Sequence, residues 1–409
     1  MKIIRFNSAK QLEKIYNRGF VKSRRVEEKV KQIVGDVRIL GDEALLKYTK
    51  KFDHIKMSAK QLRITEREIS GAYQNITPNF VSSLKIVIDN VNRFYHKEIK
   101  RSWKIKCGDG LVMGENFQPM DKVGVYIPAG TAPLVSTVYM TVLPAKIAGV
   151  KKIVMISPPD KHGFINPHIL VVADLLKVDE IYRVGGAQGI AALAYGTKTI
   201  PKVDKIVGPG NMYVSEAKRQ VFGYVDIDMI AGPTELVIIA NRTSEPKFIL
   251  ADLKAQAEHA GGLAILITNS KALAQNIKSQ LPNINGSIIL TKNLEQAAEI
   301  SNCIAPEHLE ILVKNPQRLV KLIKSAGAVF LGPYSPTAVG DYVAGPSHVL
   351  PTAGTARFFS GLSVADFIKS IHVISYSKKA LEKVKDPLEK IAGIEGLSQH
   401  LDSVKVRFE

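Results

Sequence analysis

Lys122-Val-Gly-Val-Tyr-Ile-Pro-Ala-Gly130 decides the fold. A short apolar run, 123–127, is followed at once by proline and glycine, the residues that turn a chain out of a strand. The same unit recurs downstream. Apolar runs at 153–156, 181–184 and Lys205–Val207 alternate with helical stretches starting near Thr137, after Pro167, near Gln188 and near Asn211. Strands alternating with helices predict parallel sheet built from βαβ units. A second series opens with Glu235–Ala240 and a helix around 245–260. It continues through Leu263–Thr268, 287–290, 309–313 and Ala328–Leu331. The expectation is an α/β protein with two units, the first interrupting the second.

The flanks read differently. Residues 1–24 are polar and helix-compatible, which predicts a helical N-terminal arm. Thr65-x-x-Glu68 is a capping box, and Thr77-Pro78 is an N-cap followed by proline in the first turn. Phe80, Leu84, Val87, Val91 and Phe94 then recur at helical spacing. The expected division is an arm at 1–24, one α/β domain at 25–125 plus 235–365, a second at 126–234, and a C-terminal tail at 366–409.

Composition excludes several classes. With 45% hydrophobic and 23% charged residues the chain is an ordinary globular one. No apolar run approaches the roughly 20 residues that span a bilayer, and the N-terminus lacks a signal-peptide core, so a cytoplasmic protein is expected, with no membrane partner. Cys107 and Cys303 cannot build a disulfide framework, and no CxxC spacing offers a thiolate zinc site. The net charge of +18 raises the question of nucleic acid. Yet its lysines are scattered, with no arginine-rich helix and no aromatic-basic interleaving. A solvated surface that mildly attracts anionic nucleotides is the reading adopted, and no nucleic-acid partner is expected.

In open α/β sheets ligands sit in the loops at the carboxyl ends of strands. Glycine-rich loops stand at such places: Pro128-Ala-Gly130, Gly185-Gly-Ala-Gln188, Gly208-Pro-Gly-Asn211 and Gly232-Pro-Thr234. They make a dinucleotide or phosphate site plausible. The usual fingerprint is broken, because Tyr213 stands where its third small residue belongs.

Of nine histidines, three stand beside other reactive groups. Gln256-Ala-Glu-His259 falls in the expected helix, where residues three apart share a face and can converge on one ion. A surface hydrogen-bonding pair is the plainer reading of the same spacing. Ala305-Pro-Glu307-His308 joins a helix to a strand and holds a carboxylate and an imidazole side by side, two proton acceptors of different basicity. The alternative is a turn with two solvated polar residues. The segment from Gly340-Asp341 through His348 to Gly354 is rich in glycine and proline, and its apolar Val349-Leu350-Pro351 argues for an ordered binding loop.

Together these motifs, with Val125-Tyr-Ile-Pro-Ala-Gly130, Ala231-Gly-Pro-Thr-Glu235, Gly345-Pro-Ser-His-Val-Leu-Pro351 and Glu395-Gly-x-x-x-His400, resemble the histidinol dehydrogenases, in order from about residue 25 to the C-terminus. The resemblance implies two incomplete Rossmann-like domains, the NAD-contacting one at 126–234 inserted in the zinc-bearing one. It implies one zinc per subunit held by Gln256, His259, Asp341 and His400, and Glu307 and His308 as the catalytic acid–base pair. Substrate contacts would come from Thr234, His348 and Glu395 together with Gln256, His259, His308, Asp341 and His400. Tyr126, Gln188 and Asn211 would contact NAD. L-Histidinol would be oxidised to L-histidine with two NAD⁺, in a homodimer whose tail carries Glu395 and His400 into the partner's site. The family usually has serine where this chain has Thr234, which keeps the hydroxyl and adds a methyl. A relative acting on another small alcohol would keep zinc, NAD and the Glu–His pair, but His348 and Glu395 suit a substrate with imidazole and amino groups. A basic nucleic-acid binder on a degenerate core would have lost some of these residues, and none is missing.

Overall fold

Parallel sheet forms where the sequence alternates apolar runs with helices, in a computed structural model that describes residues 1–6, 23–129, 132–259 and 261–409. In chain order the strands are β1 (Lys2–Arg5), β2 (Trp103–Lys106), β3 (Val112–Pro119) and β4 (Lys122–Tyr126). There follow β5 (Lys152–Ser157), β6 (Glu180–Arg183), β7 (Lys205–Val207), β8 (Asp226–Ile227) and β9 (Glu235–Ala240). The last are β10 (Leu263–Thr268), β11 (Gly286–Leu290), β12 (His308–Leu312), β13 (Ala328–Leu331) and β14 (Ile368–Ser375). The chain divides into two compact units, Met1–Glu98 with Met120–Phe367, and Ile99–Pro119 with Ile368–Glu409.

The first unit holds two sheets. One has the order β6-β5-β4-β7-β8 and the other β1-β11-β10-β9-β12-β13, all neighbours parallel. β9 explains the second sheet. All six of its residues are buried, as a parallel strand covered on both faces requires. Leu236 and Ile238 pack with Ile249 and Leu253 of helix Pro246–Gln256. Val237 and Ile239 face the other way, onto Ala297, Ala298 and Ile304 of helix Leu294–Ile304. This is the period-two alternation of strand side chains.

Helices Arg24–Leu40 and Asp42–Phe52 bury Val30, Ile33, Val37, Leu45 and Tyr48 in one core with Val154, Ile156, Ile190 and Val214. They therefore cover the β4–β8 sheet, whereas the division at residue 125 assigned them to the other. Amphipathic spacing says that a helix must bury a face, not which sheet receives it.

Three further expectations change. Lys2–Arg5 is a strand, not part of a helical arm: it pairs with β11, and the Met1 ammonium donates to the carbonyls of Leu281 (2.9 Å) and Pro282 (3.0 Å). Residues 7–22 of that arm lie outside the described residues. In helix Pro78–Tyr95 the buried stripe ends on Tyr95, four after Val91, while Phe94 is exposed. The Thr65 capping box and the Thr77 cap form as read. Finally, 99–119 was placed within the 25–125 segment, but β3 pairs antiparallel with β14 from Pro119↔Ile368 to Val112↔Ser375. The C-terminal segment is a strand followed by helices Lys378–Ile394 and Ser398–Lys405, with Lys379 2.9 Å from Asp109. Pairing between segments so distant in sequence leaves no local pattern to read.

Among the described residues no helix is long and apolar enough to cross a membrane.

Candidate active site

The chemistry collects at the amino ends of β9 and β12. Helix Leu294–Ile304 ends at Ala305, which takes a left-handed conformation (φ 50°, ψ 62°), and Pro306 leads directly into β12. Glu307 and His308 are thereby buried rather than solvated, with 7% and 5% of their surface exposed. The carboxylate Oε2 of Glu307 accepts from the Thr234 hydroxyl and from the Glu235 amide (3.0 Å). Gln256 Nε2 lies 3.5 Å from the Thr234 hydroxyl. On the other side, Oε2 of Glu307 is 3.7 Å from His308 Nδ1, and Asp341 Oδ1 is 3.5 Å from His308 Nε2. A continuous row of polar groups thus runs Gln256–Thr234–Glu307–His308–Asp341.

Burial opposes a charged imidazolium at His308, but the carboxylates of Glu307 and Asp341 outweigh it, and the pKa is raised. Burial pushes Asp341 upward, yet contact with His308 and the nearby His348 and His259 hold its carboxyl below the usual range. Neither ring nitrogen of His308 has a hydrogen-bond partner at good geometry. Such a group is poised to exchange a proton with a ligand.

His348 joins through Nδ1, 2.9 Å from the Asp341 backbone carbonyl, and Nε2, 3.2 Å from the Thr137 hydroxyl. The carbonyl fixes the proton on Nδ1, so Nε2 accepts from Thr137. Burial lowers the His348 pKa and keeps it neutral.

His259 is not on the helix with Gln256. That helix stops at Gln256, and His259 lies in the exposed turn after it, its amide 3.3 Å from the Gln256 carbonyl. Glycines force the stop: Gly261 has φ +75°, and a side chain at Gly262 would fall 2.6 Å from the Gln256 carbonyl. The turn, not a shared helical face, brings His259 near enough to act on Asp341.

Glu395 caps helix Lys378–Ile394 and His400 lies in helix Ser398–Lys405, both exposed in the second unit. The first unit thus carries an amide, an imidazole and a carboxylate of the expected zinc set, a donor chemistry that suits zinc. Among the described residues no group of three or more His, Cys, Asp or Glu could hold a metal ion.

The three expected NAD contacts line one cavity of about 550 Å³, Tyr126, Gln188 and Asn211 being joined there by Lys29, Asp53 and Tyr213. It opens at the carboxyl end of β4, where the strand order reverses between β5 and β7, the topological switch point at which α/β sheets bind ligands. The Gly208 loop is pinned there: Asp228 accepts from the Gly208 amide (2.8 Å), and Lys218 donates to the Gly208 carbonyl (3.0 Å) and to Asp228. Asn211 Oδ1 caps helix Met212–Val221 by accepting from Tyr213 (3.0 Å) and Val214 (3.2 Å). Gln188 Oε1 and Asp53 Oδ2 are buried without a hydrogen-bond partner. Burial pushes Asp53 up to about 6. A polar ligand would satisfy both.

One of the four glycine loops departs from the carboxyl-end rule. Gly232-Pro-Thr234 leads into the amino end of β9 and supplies Thr234 to the reactive row. Sequence reasoning missed Lys29, Asp53, Thr137, Asp252 and Glu310. Glu310 had a signal, since it follows His308 by two on one strand and so shares its face. Lys29 and Asp53 had none, because the cavity is assembled from segments far apart in the chain.

A model of the family described as histidinol dehydrogenase matches residues 16–408. A histidinol dehydrogenase of Clostridium acetobutylicum is 48% identical over 99% of this chain and 96% of its own length. One from Listeria innocua is 50% identical over 95% and 94%. The crystal structure of the Elizabethkingia anophelis histidinol dehydrogenase superposes with a TM-score of 0.93 at 35% identity, covering 100% of this chain and 98% of that one. The chain belongs to the histidinol dehydrogenase family.

Proposed function

We propose that this protein oxidises L-histidinol to L-histidine through the aldehyde, in the cytoplasm, as an NAD-linked enzyme of histidine biosynthesis. The observation that carries the reading is the buried pair Glu307 and His308, flanked by half-buried Thr234 and Asp341: two bases withdrawn from water beside candidate metal donors.

The alcohol loses a hydride from carbon and a proton from oxygen. His308 takes that proton, its imidazole held between two carboxylates that stabilise the charge it gains. The aldehyde then adds water, and Glu307 takes the water's proton. Thr234 and the Glu235 amide both donate to one oxygen of Glu307, which fixes the direction of its basic face. A second hydride then leaves the hydrated carbon, giving the acid. NAD⁺, when bound, is the hydride acceptor for both oxidations. Tyr126, Gln188 and Asn211 would hold it, the unpartnered amide oxygen of Gln188 being available to accept from a ligand.

Gln256, His259, Asp341 and His400 would hold zinc. Zinc, when bound, supplies a template that orients the substrate's imidazole and amino groups. His348 and Glu395 add substrate contacts. The protein is a homodimer in which Glu395 and His400 complete the partner's site. The exposure of both residues supports that exchange.

The test is metal analysis of purified protein combined with NADH yield on L-histidinol. One zinc per chain and two NADH per substrate consumed are expected. Faster NADH formation from another small polar alcohol would replace the substrate while keeping the machinery.

A further inference from the structure

Beneath the reactive row lies a second row of polar groups that the proposed mechanism does not use. Glu310 follows His308 by two residues on β12, so both point to the same face. It is fully buried. Its Oε1 accepts from the Thr337 amide at 2.9 Å, the first residue of helix Thr337–Tyr342. Its Oε2 is buried and meets no donor. Its neighbour is the carboxyl of Asp252 on helix Pro246–Gln256, close enough for each to act on the other's proton. Two neighbouring carboxyls repel when both are charged, and a proton held by one would satisfy the unpartnered Oε2 of Glu310.

The spacing of this lower row matches the upper one. Asp252 precedes Gln256 by one helical turn, and Thr337 precedes Asp341 by one turn. Each member therefore sits under a member of the site: Asp252 under Gln256, Glu310 under His308, Thr337 under Asp341.

We propose that Glu310, bonded to the Thr337 amide and set against Asp252, forms a buried brace that sets the spacing of Gln256, His308 and Asp341, and so the affinity of the site for zinc. They are positioning residues and touch no substrate. Burial and the Asp252 carboxylate push Glu310 up to about 8, which keeps the proton in place at neutral pH. The charged and titratable groups facing Glu310 are Asp252 from the helix and His308 from its own strand, besides the Thr337 amide.

The proposal rests on the zinc reading above. The experiment measures zinc dissociation constants by chelator competition, with melting temperatures and kcat/KM, for wild type and four variants. Glu310→Gln keeps an acceptor for Thr337 and gains a donor for Asp252, so its zinc affinity stays within about twofold. Glu310→Leu offers neither and weakens zinc by about 10- to 100-fold, the loss typical of groups that orient metal ligands. Should the leucine variant fail to fold, Thr337→Pro removes the amide that donates to Glu310, at a first helical position where proline is tolerated, and Thr337→Val controls for the lost hydroxyl. The proline variant should weaken zinc in the same direction. Wild-type zinc affinity in Glu310→Leu or Thr337→Pro, whatever the melting temperature, overturns the brace. So does a glutamine variant as weak as the leucine one. Wild-type protein that takes up no zinc overturns the zinc reading along with it.

Discussion

Asp341 Oδ1 stands 3.5 Å from His308 Nε2, and Glu307 Oε2 stands 3.7 Å from the same ring's Nδ1. One buried imidazole is thus flanked by a carboxylate assigned to proton transfer and another assigned to metal. The arrangement lets the two roles be separated by mutation.

His308→Asn and Glu307→Gln should each lower kcat by about 10²- to 10⁴-fold, the usual contribution of a positioned acid or base. Their zinc content should stay near wild type. His259→Ala should lose zinc and activity together. Metal analysis beside turnover checks both, and zinc-free protein in the first pair would move those residues into the ligand set.

Thr234 donates to Glu307 through its hydroxyl. Thr234→Ser keeps that bond and should leave kcat/KM within about twofold. Thr234→Ala removes a hydrogen bond to a charged group and should cost about tenfold or more. Equal activity of the serine and alanine variants would show that the hydroxyl does not orient the base.

Asn211 spends its side-chain oxygen on the helix cap, so only its amide N–H groups remain for a ligand. Asn211→Asp should keep the cap and the melting temperature but raise KM for NAD⁺. Asn211→Ala should do both kinds of damage, losing about 1 kcal/mol of stability. An aspartate variant with unchanged KM would remove Asn211 from the cofactor contacts.

Glu310 also gives a stability prediction. Its pKa rises from 4.5 in the unfolded chain to about 8 when folded, so between these values the folded protein holds a proton that the unfolded one lacks. That contribution is full below about pH 4.5 and fades as pH rises to about 8, by up to about 1.4 kcal/mol per pH unit. Glu310→Gln has no such loss. Its melting temperature relative to wild type should therefore climb from pH 5 to pH 8, and a flat difference would count against a protonated Glu310.

Mixing His400→Ala with Glu307→Gln tests the exchanged tail. If each tail serves its partner, every mixed dimer has one site with both defects and one with neither. Random exchange should then restore about one quarter of wild-type activity. No recovery from the two inactive parents would mean that His400 serves its own subunit.

The sequence by itself determined the α/β character and most strands of both parallel sheets, β4 to β7 and β9 to β13 but not the edge strands β1 and β8, because apolar runs and helical periodicity are local and are fixed by what each residue must bury. It also carried the family, through motifs spread over most of the chain. Burial of Glu307 and His308 was not readable, since Ala-Pro-Glu-His fits a solvated turn as well as a strand entering a core. Tertiary structure alone decided that helices Arg24–Leu40 and Asp42–Phe52 cover the β4–β8 sheet, and that β3 pairs with β14. It also decided that His259 reaches the site from a turn and that Asp252, Glu310 and Thr337 form a second row. These are contacts between segments distant in sequence. Their energy depends on the fit of surfaces brought together by folding rather than on spacing along the chain, so apart from the two-residue step from His308 to Glu310 the string of residues holds no local trace of them.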